Sequence, residues 1–292
     1  MGDSNLSFRN SNSMVQRIIT YIKRGLRYVL TGMPVRHISA NISLLNPNSN
    51  LIGKKILITG GSRGLGKAMA IKFMAEGGDV VITGRDEGAL KEIAETSGCK
   101  YIVGDIMDET FLRTLIDKSV SLLGGLNVLV NNAGISLHEG DLYAVTEEGF
   151  DRQFSINLRA PFFLSKGFIN YLKDNNIEGS SILFISSERS QQADIIPYGL
   201  TKAAINSFVS GLAKRYVKEG LRVNAVAPGV TATDMTGMNE TDNLYYEHNS
   251  RERAYIPEEV AEVASFLISD ASTCLSGQIL VCNEAKTINS YF

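Results

Sequence analysis

Lys55-Ile56-Leu57-Ile58-Thr59-Gly60-Gly61-Ser62-Arg63-Gly64-Leu65-Gly66 is the stretch that decides the fold. A short apolar run enters a glycine-rich turn, and a helical pattern follows to about Glu76. Glycines at such a turn permit tight geometry and close backbone approach, and the helix N-terminus offers free N–H groups to a diphosphate. A glycine-rich turn alone says little, because glycines are common in loops. Between the first strand and the first helix of an alternating unit it says much more.

The alternation continues along the chain. Val80–Thr83 reads as a strand, Glu87–Thr96 as a helix and Tyr101–Val103 as a third strand. A helix around Thr110–Leu123 precedes the strand Val128–Val130, and helices around Phe150–Tyr171 and Tyr198–Lys218 flank the strand Ile182–Ile185. Arg222–Ala227 and Gln278–Val281 are further strands, with a helix at Pro257–Ile268 between them. Strands alternating with helices of about ten or more residues predict an α/β fold with a parallel, doubly wound sheet.

With 292 residues the chain suits one large α/β domain with an appendage, read as residues 51–292 preceded by an extension over 1–50. A hydrophobic content of 44% is ample for a buried core. The net charge of −2 is unevenly spread: residues 1–50 carry Arg9, Arg17, Lys23, Arg24, Arg27 and Arg36 against Asp3 alone. The remainder is mildly acidic, which gives no support for a nucleic-acid-binding core. Cys99, Cys274 and Cys282 are odd in number and lack metal-ligand spacing, so they read as buried thiols in a reducing, cytoplasmic setting with no metal site. No stretch approaches the ~20 apolar residues of a membrane span, and charges interrupt the early apolar residues, against a secretory signal peptide.

Tyr198 and Lys202 stand four residues apart, on one face of the helix expected there, downstream of the pair Ser186–Ser187. A free phenol has a pKa of about 10, too high for a base near neutrality. A nearby ammonium favours the phenolate, so the pair makes a proton-transfer device tuned towards working pH. At the end of the second strand, dinucleotide folds that prefer NAD place an acid against the ribose 2′-hydroxyl. The chain instead reads Thr83-Gly84-Arg85, with no acid until Asp86. Arg85 and Arg63 are suited to neutralise a 2′-phosphate, which favours NADP(H) over NAD(H); solvated surface charge is the alternative reading. Asp105, ending the third strand, either meets the adenine or caps the next helix.

Together these residues resemble the short-chain dehydrogenase/reductase family in its compact, single-domain, Rossmann-like branch. The resemblance spans roughly residues 51–292 and rests on motifs in order. They are the TGxxxGxG turn at Thr59–Gly66, Asn131-Asn132-Ala133-Gly134, Asn157, Ser186–Ser187, Tyr198 with Lys202, and Pro228-Gly229 followed by Thr233. It implies a catalytic set of Asn157, Ser187, Tyr198 and Lys202. Tyr198 would exchange the proton with the substrate oxygen, Ser187 would position that oxygen, Lys202 would lower the Tyr198 pKa and bind the nicotinamide ribose, and Asn157 would hold a water. Cofactor contacts are implied for Gly60, Ser62, Arg63, Gly64, Leu65 and Gly66, for Arg85, Asp105 and Ile106, and for Asn132, Ala133 and Gly134. At the nicotinamide end they are implied for Tyr198, Lys202, Pro228, Gly229, Val230 and Thr233. Homodimers or homotetramers are usual in the family.

Three departures matter. Ser187 stands eleven residues before Tyr198, slightly closer than is usual, so Ser186 competes for its role. Near the C-terminus the family often has Asp-Gly-Gly where this chain has Asn283-Glu284-Ala285, and the acid commonly preceding the fourth strand is Asn127. The segment from Thr233 to about Arg253, where the family forms its substrate lid, is polar with Tyr245 and Tyr246 as its large rings, and Glu188–Gln192 is hydrophilic. This leans towards a polar carbonyl/alcohol substrate such as a sugar derivative; His138 and Glu139 read as surface residues near the pocket mouth. A 3-oxoacyl-carrier-protein reductase shares the motifs, but the mixed charges Lys214, Arg215, Lys218 and Glu219 argue mildly against an acidic carrier. A nucleotide-binding scaffold without catalysis is the reading from another class.

In the extension, Met14, Val15, Ile18, Ile19, Ile22, Leu26, Val29 and Leu30 share one face of a helix over about 14–30, with basic residues opposite. Three readings remain open: a stripe buried on the domain or a second subunit, a peripheral anchor on an anionic membrane, or a mitochondrial transit peptide.

Overall fold

The computed structural model describes residues 49–239 and 243–288, with Ile19, Ile22, Lys23, Leu26, Val29 and Leu30 of the extension. Two units divide the chain at residue 42. In the first, the six described residues are helical and exposed; the rest of that expected helix lies outside the described residues.

The second unit alternates strand and helix throughout. Its elements are β1 (Lys55–Thr59), α1 (Gly64–Ala75), β2 (Asp79–Gly84), α2 (Glu87–Ser97), β3 (Lys100–Val103), α3 (Glu109–Leu123) and β4 (Val128–Asn131). Then follow α4 (Glu147–Phe154), α5 (Ala160–Asp174), β5 (Ser180–Ile185), α6 (Pro197–Tyr216), β6 (Leu221–Pro228), α7 (Pro257–Ile268) and β7 (Ile279–Cys282). The strands form one parallel sheet in the order β3-β2-β1-β4-β5-β6-β7, with Leu57 of β1 in register with Val81 and Leu129.

Alternation along each strand sends side chains to opposite faces. Ile56, Ile58, Ile82, Val130 and Leu183 pack against Met69 and Phe73 of α1, Leu90 of α2 and Leu267 of α7. Leu57, Val81, Leu129, Ile182 and Phe184 pack against Leu115 of α3, Phe168 of α5 and Val209 of α6. Helices cover both faces, so the strands read as apolar runs rather than as an alternating pattern. Helix ends follow local chemistry: Asp86 and Asp108 accept backbone N–H bonds at the starts of α2 and α3, and Gly98 and Gly124 close them in the left-handed region.

The expected continuous helix over Phe150–Tyr171 is interrupted: Ser155–Arg159 forms a π-turn between α4 and α5. Such turns widen the helix by one residue and re-aim its side chains. Cys99 is buried, but Cys274 is exposed and Cys282 only partly covered, which corrects the expectation of three buried thiols. Asn127 accepts from Lys55 N and donates to Gly53 O, joining the starts of β1 and β4. Strand order reverses between β1 and β4, where open α/β sheets leave a crevice at the carboxyl ends.

Candidate active site

A cleft of about 710 Å³ opens at that crevice. Its border includes every residue expected to contact the cofactor, from Gly60 to Thr233, together with Ser186 and Ser187. Asn157 stands behind the wall, next to the bordering Ile156.

The glycine turn is a cradle that side chains would fill. A Cβ on Gly66 would lie 2.1 Å from Gly60 O, and one on Gly61 would lie 2.5 Å from the Ile82 Cβ. The Asn132 amide donates to Thr59 O and Gly60 O, both at 2.9 Å, which pins the segment after β4 to the turn. Helix α1 begins with no side-chain cap and no acid in its first turn, so its N–H groups would meet an anion unopposed. These features fit a dinucleotide diphosphate. At the other end of the turn Arg63 pairs with Asp234 at 3.2 Å, and Arg85 pairs with Asp105 at 3.7 Å. Asp86 is occupied in capping α2, 3.0 Å from Ala89 N. Asp105 is not the cap of α3, because Asp108 takes that place; it bends its own turn by accepting from Met107 N.

The polar end is assembled from three elements. Ser187 follows β5 and borders the cleft together with Tyr198 at the start of α6; its hydroxyl accepts from Arg189 N at 3.3 Å. Ser186 points elsewhere, donating to Asn206 Oδ1 at 2.7 Å. Lys202, one turn beyond Tyr198, donates to Ile185 O at 2.8 Å, and its Nζ lies 5.6 Å from the Tyr198 ring centre. Burial lowers the Lys202 pKa to about 8. The Tyr198 phenol moves the opposite way from the sequence expectation. Burial raises it and Glu188 adds to the rise, while the Ser187 hydroxyl and Arg189 oppose. Asn157, carried by the π-turn, accepts from Ile135 N at 2.8 Å and donates to Ile135 O and Thr201 Oγ1. A Cβ on Gly134 would sit 3.3 Å from Asn157 Oδ1 and 3.5 Å from Lys202 Nζ, so Gly134 keeps the space between them open.

Several bordering residues were not singled out by motif: Thr83, Ser136, Met235 and Met238. Thr83 Oγ1 is buried without a hydrogen-bond partner, and Thr83 borders the cleft beside Gly84 and Arg85. Glu188, in the hydrophilic loop after Ser187, is buried to 6% exposure, and Tyr246 reaches the cleft while Tyr245 stays exposed. His138 borders the cleft; Glu139 instead binds Gln153. Among the described residues no cluster of three His, Cys, Asp or Glu could hold a metal ion. None of their helices is long and apolar enough to cross a membrane.

The sheet order and this cleft fit a nicotinamide-dependent oxidoreductase. The family described as Enoyl-(Acyl carrier protein) reductase matches residues 60–284. Glucose 1-dehydrogenase of Gluconobacter oxydans (strain 621H) is 32% identical over 256 residues, covering 82% of this chain and 94% of that protein. A short-chain dehydrogenase from Burkholderia cenocepacia J2315 in complex with NADP superimposes with a TM-score of 0.74 at 28% identity, over 82% of this chain and 99% of that one. A 3-ketoacyl-(acyl-carrier-protein) reductase from Brucella melitensis complexed with NADH gives 0.75 at 27% identity, over 81% and 99%. The chain belongs to the short-chain dehydrogenase/reductase family.

Proposed function

We propose that the chain interconverts a polar carbonyl compound and its secondary alcohol, using NADP(H) in preference to NAD(H), with Tyr198 as proton carrier. One observation carries this reading: Tyr198, Ser187 and Lys202 border one end of a cleft whose other end holds the glycine turn, Arg63 and Arg85. The nicotinamide group supplies hydride for reduction and accepts it in oxidation. Ser187 orients the substrate oxygen towards the Tyr198 hydroxyl, which gives the oxygen a proton in reduction and removes one in oxidation. Lys202, with a pKa near 8, passes the proton onward and favours the phenolate as it forms. Asn157 fixes the Ile135 backbone beside that path.

The coenzyme preference rests on charge. No carboxylate is free at the end of β2, and the two arginines are held only by ion pairs with 60% and 71% exposure of the guanidinium side chains. Exposed pairs of this kind are worth about 0–1 kcal/mol, so a phosphate dianion displaces them readily. One solved relative carries NADP and another NADH, so the family alone leaves both coenzymes open.

Ser136, His138, Glu188 and Arg189 at the substrate end support a hydroxylated substrate, as does the likeness to a glucose 1-dehydrogenase. Met235 and Met238 on the same border, with the likeness to a 3-ketoacyl-(acyl-carrier-protein) reductase, favour the second reading, a 3-oxoacyl thioester. Fluorescence titration with NADPH and NADH tests the coenzyme: NADPH binds more tightly, and Arg85→Ala weakens it by about tenfold without affecting NADH. Equal binding of both would overturn the preference. Tyr198→Phe binds NADPH as the wild type does but turns over no carbonyl compound; retained turnover would remove Tyr198 from its role.

For the extension we propose peripheral contact with an anionic membrane surface. Ile19, Ile22, Leu26, Val29 and Leu30 are 40–85% exposed on a helix that also carries Lys23. The sequence adds Arg17, Arg24 and Arg27. Apolar insertion with basic flanks matches anionic headgroups in charge and depth.

A further inference from the structure

Glu188 immediately follows Ser187 and borders the catalytic cleft, yet its side chain is only 9% exposed. A buried carboxylate is costly unless it is paired and hydrogen-bonded. Both requirements are met from the far end of the chain. Lys286 Nζ lies 2.8 Å from Glu188 Oε1, and Asn283 Nδ2 donates to Oε2 at 3.0 Å. The same ammonium donates to Asn249 Oδ1 at 3.2 Å and stands 5.9 Å from the centre of the Tyr246 ring, which itself borders the cleft.

The backbone is bent to make this meeting. Glu284 (φ 50°) and Ala285 (φ 69°) are consecutive L-residues in the left-handed region. Such residues persist only where the surroundings fix them, and they mark places where geometry serves a task. Glu284 is held by Arg251 at 3.3 Å and by the Tyr255 hydroxyl at 3.5 Å. The turn between Asn283 and Lys286 then returns the lysine to Glu188. Gly229 leaves the room required: a Cβ there would lie 2.8 Å from Tyr255 Cε2 and 3.3 Å from Glu188 Oε2.

We propose that Lys286, aided by Asn283, is a positioning residue for the reaction: it holds Glu188 and balances its charge beside the proton carrier Tyr198, so that the C-terminal segment sets the conditions of proton transfer. The proposal rests on the role assigned to Tyr198 above. Charge around the phenol is mixed. Arg189, itself paired to Asp194 at 2.6 Å, favours the phenolate and Glu188 opposes it, while Lys202 Nζ stands 5.6 Å from the ring centre. Around Glu188 stand Lys286, Asn283 and the Tyr255 phenol, the last flanked by Arg253 and Glu284. Removing the ammonium exposes Tyr198 to an uncompensated carboxylate, and removing the carboxylate relieves it.

The test titrates Tyr198 directly, by 13Cζ-tyrosine NMR of the full chain with saturating NADP+. The resonance is assigned by its loss in Tyr198→Phe. Glu188→Gln, nearly isosteric, lowers the phenol midpoint by about half a pH unit or more. Lys286→Met raises it by a similar amount, Lys286→Arg restores it, and the double variant Glu188→Gln/Lys286→Met removes the rise. An unmoved midpoint in Glu188→Gln overturns the proposal, even where Lys286→Met fails to fold. A midpoint that moves equally in Lys286→Met and Lys286→Arg also overturns it, because shape and not charge would then be responsible. Failure of NADP+ to bind, seen by fluorescence titration, would instead refute the coenzyme assignment.

Discussion

An ammonium 5% exposed, such as that of Lys202, lives at a cost. Its pKa falls from 10.5 to about 8, so the folded state binds its proton less readily than the unfolded chain. The penalty is present in full below pH 8 and is relieved as pH rises from about 8 towards 10.5, by roughly 3 kcal/mol. Thermal unfolding therefore shows stability contributed by this group rising over that window. Lys202→Met loses the rise, is at least as stable as the wild type at pH 7, and is inactive; a less stable variant at pH 7 would refute the burial argument. The serine pair separates by partner. Ser187→Ala reduces turnover by about a hundredfold or more with little change in stability. Ser186→Ala loses its bond to Asn206, costs about 1 kcal/mol, and leaves turnover nearly intact. Urea denaturation and steady-state rates on both variants distinguish the two, and the opposite pattern would assign catalysis to Ser186.

The last carbonyls of helix α7 end on a side chain from β6. Arg222 donates to Leu267 O at 2.8 Å, Ser269 O at 3.0 Å, Ser272 Oγ at 2.9 Å and, more weakly, Ile268 O. A cation at a helix C-terminus both satisfies orphan carbonyls and opposes the helix dipole. Arg222→Met removes these bonds, leaving Leu267 O and Ser269 O only their contacts with Ser272, and lowers stability by about 2 kcal/mol, read as a fall in the urea midpoint. A neutral result would show that Ser272 alone suffices to hold this helix end. Nothing in the sequence marked this arginine, which reads as an ordinary strand residue. The elements themselves were legible to within one or two residues in most cases, because buried strands and two-faced helices leave strong apolar runs. The glycine turn and Tyr198–Lys202 were legible for a different reason: each places chemistry-bearing residues close in sequence. The π-turn that carries Asn157 was not, since no residue type demands it. Lys286 and Glu188, ninety-eight positions apart, leave no periodic trace, and burial rather than spacing turns the Tyr198 phenol upward.

On the scale of the whole chain, two kinds of surface are set side by side in sequence: a catalytic unit and a basic, apolar-striped extension. If the extension docks on lipid, Ile22→Asp/Leu26→Asp abolishes co-sedimentation with phosphatidylserine-containing vesicles while NADPH affinity stays unchanged. Wild-type binding also weakens as salt rises, through screening of Lys23 and its arginine neighbours. Binding to neutral vesicles with equal strength would argue for apolar insertion alone, and no binding to either would refute the assignment.

The reversal of strand order between β1 and β4 has a consequence for how such a molecule can change over time. The glycine turn, Arg85 and Asp105 belong to the segment that builds β1, β2 and β3. Ser187, Tyr198, Lys202 and Tyr246 follow later, with β5, β6 and the approach to β7. On the proposed reading, the residues that choose the coenzyme and those that meet the substrate lie in separate lengths of the chain, joined along a shared seam. The Arg63–Asp234 ion pair crosses that seam, so a change in one length is felt in the other there.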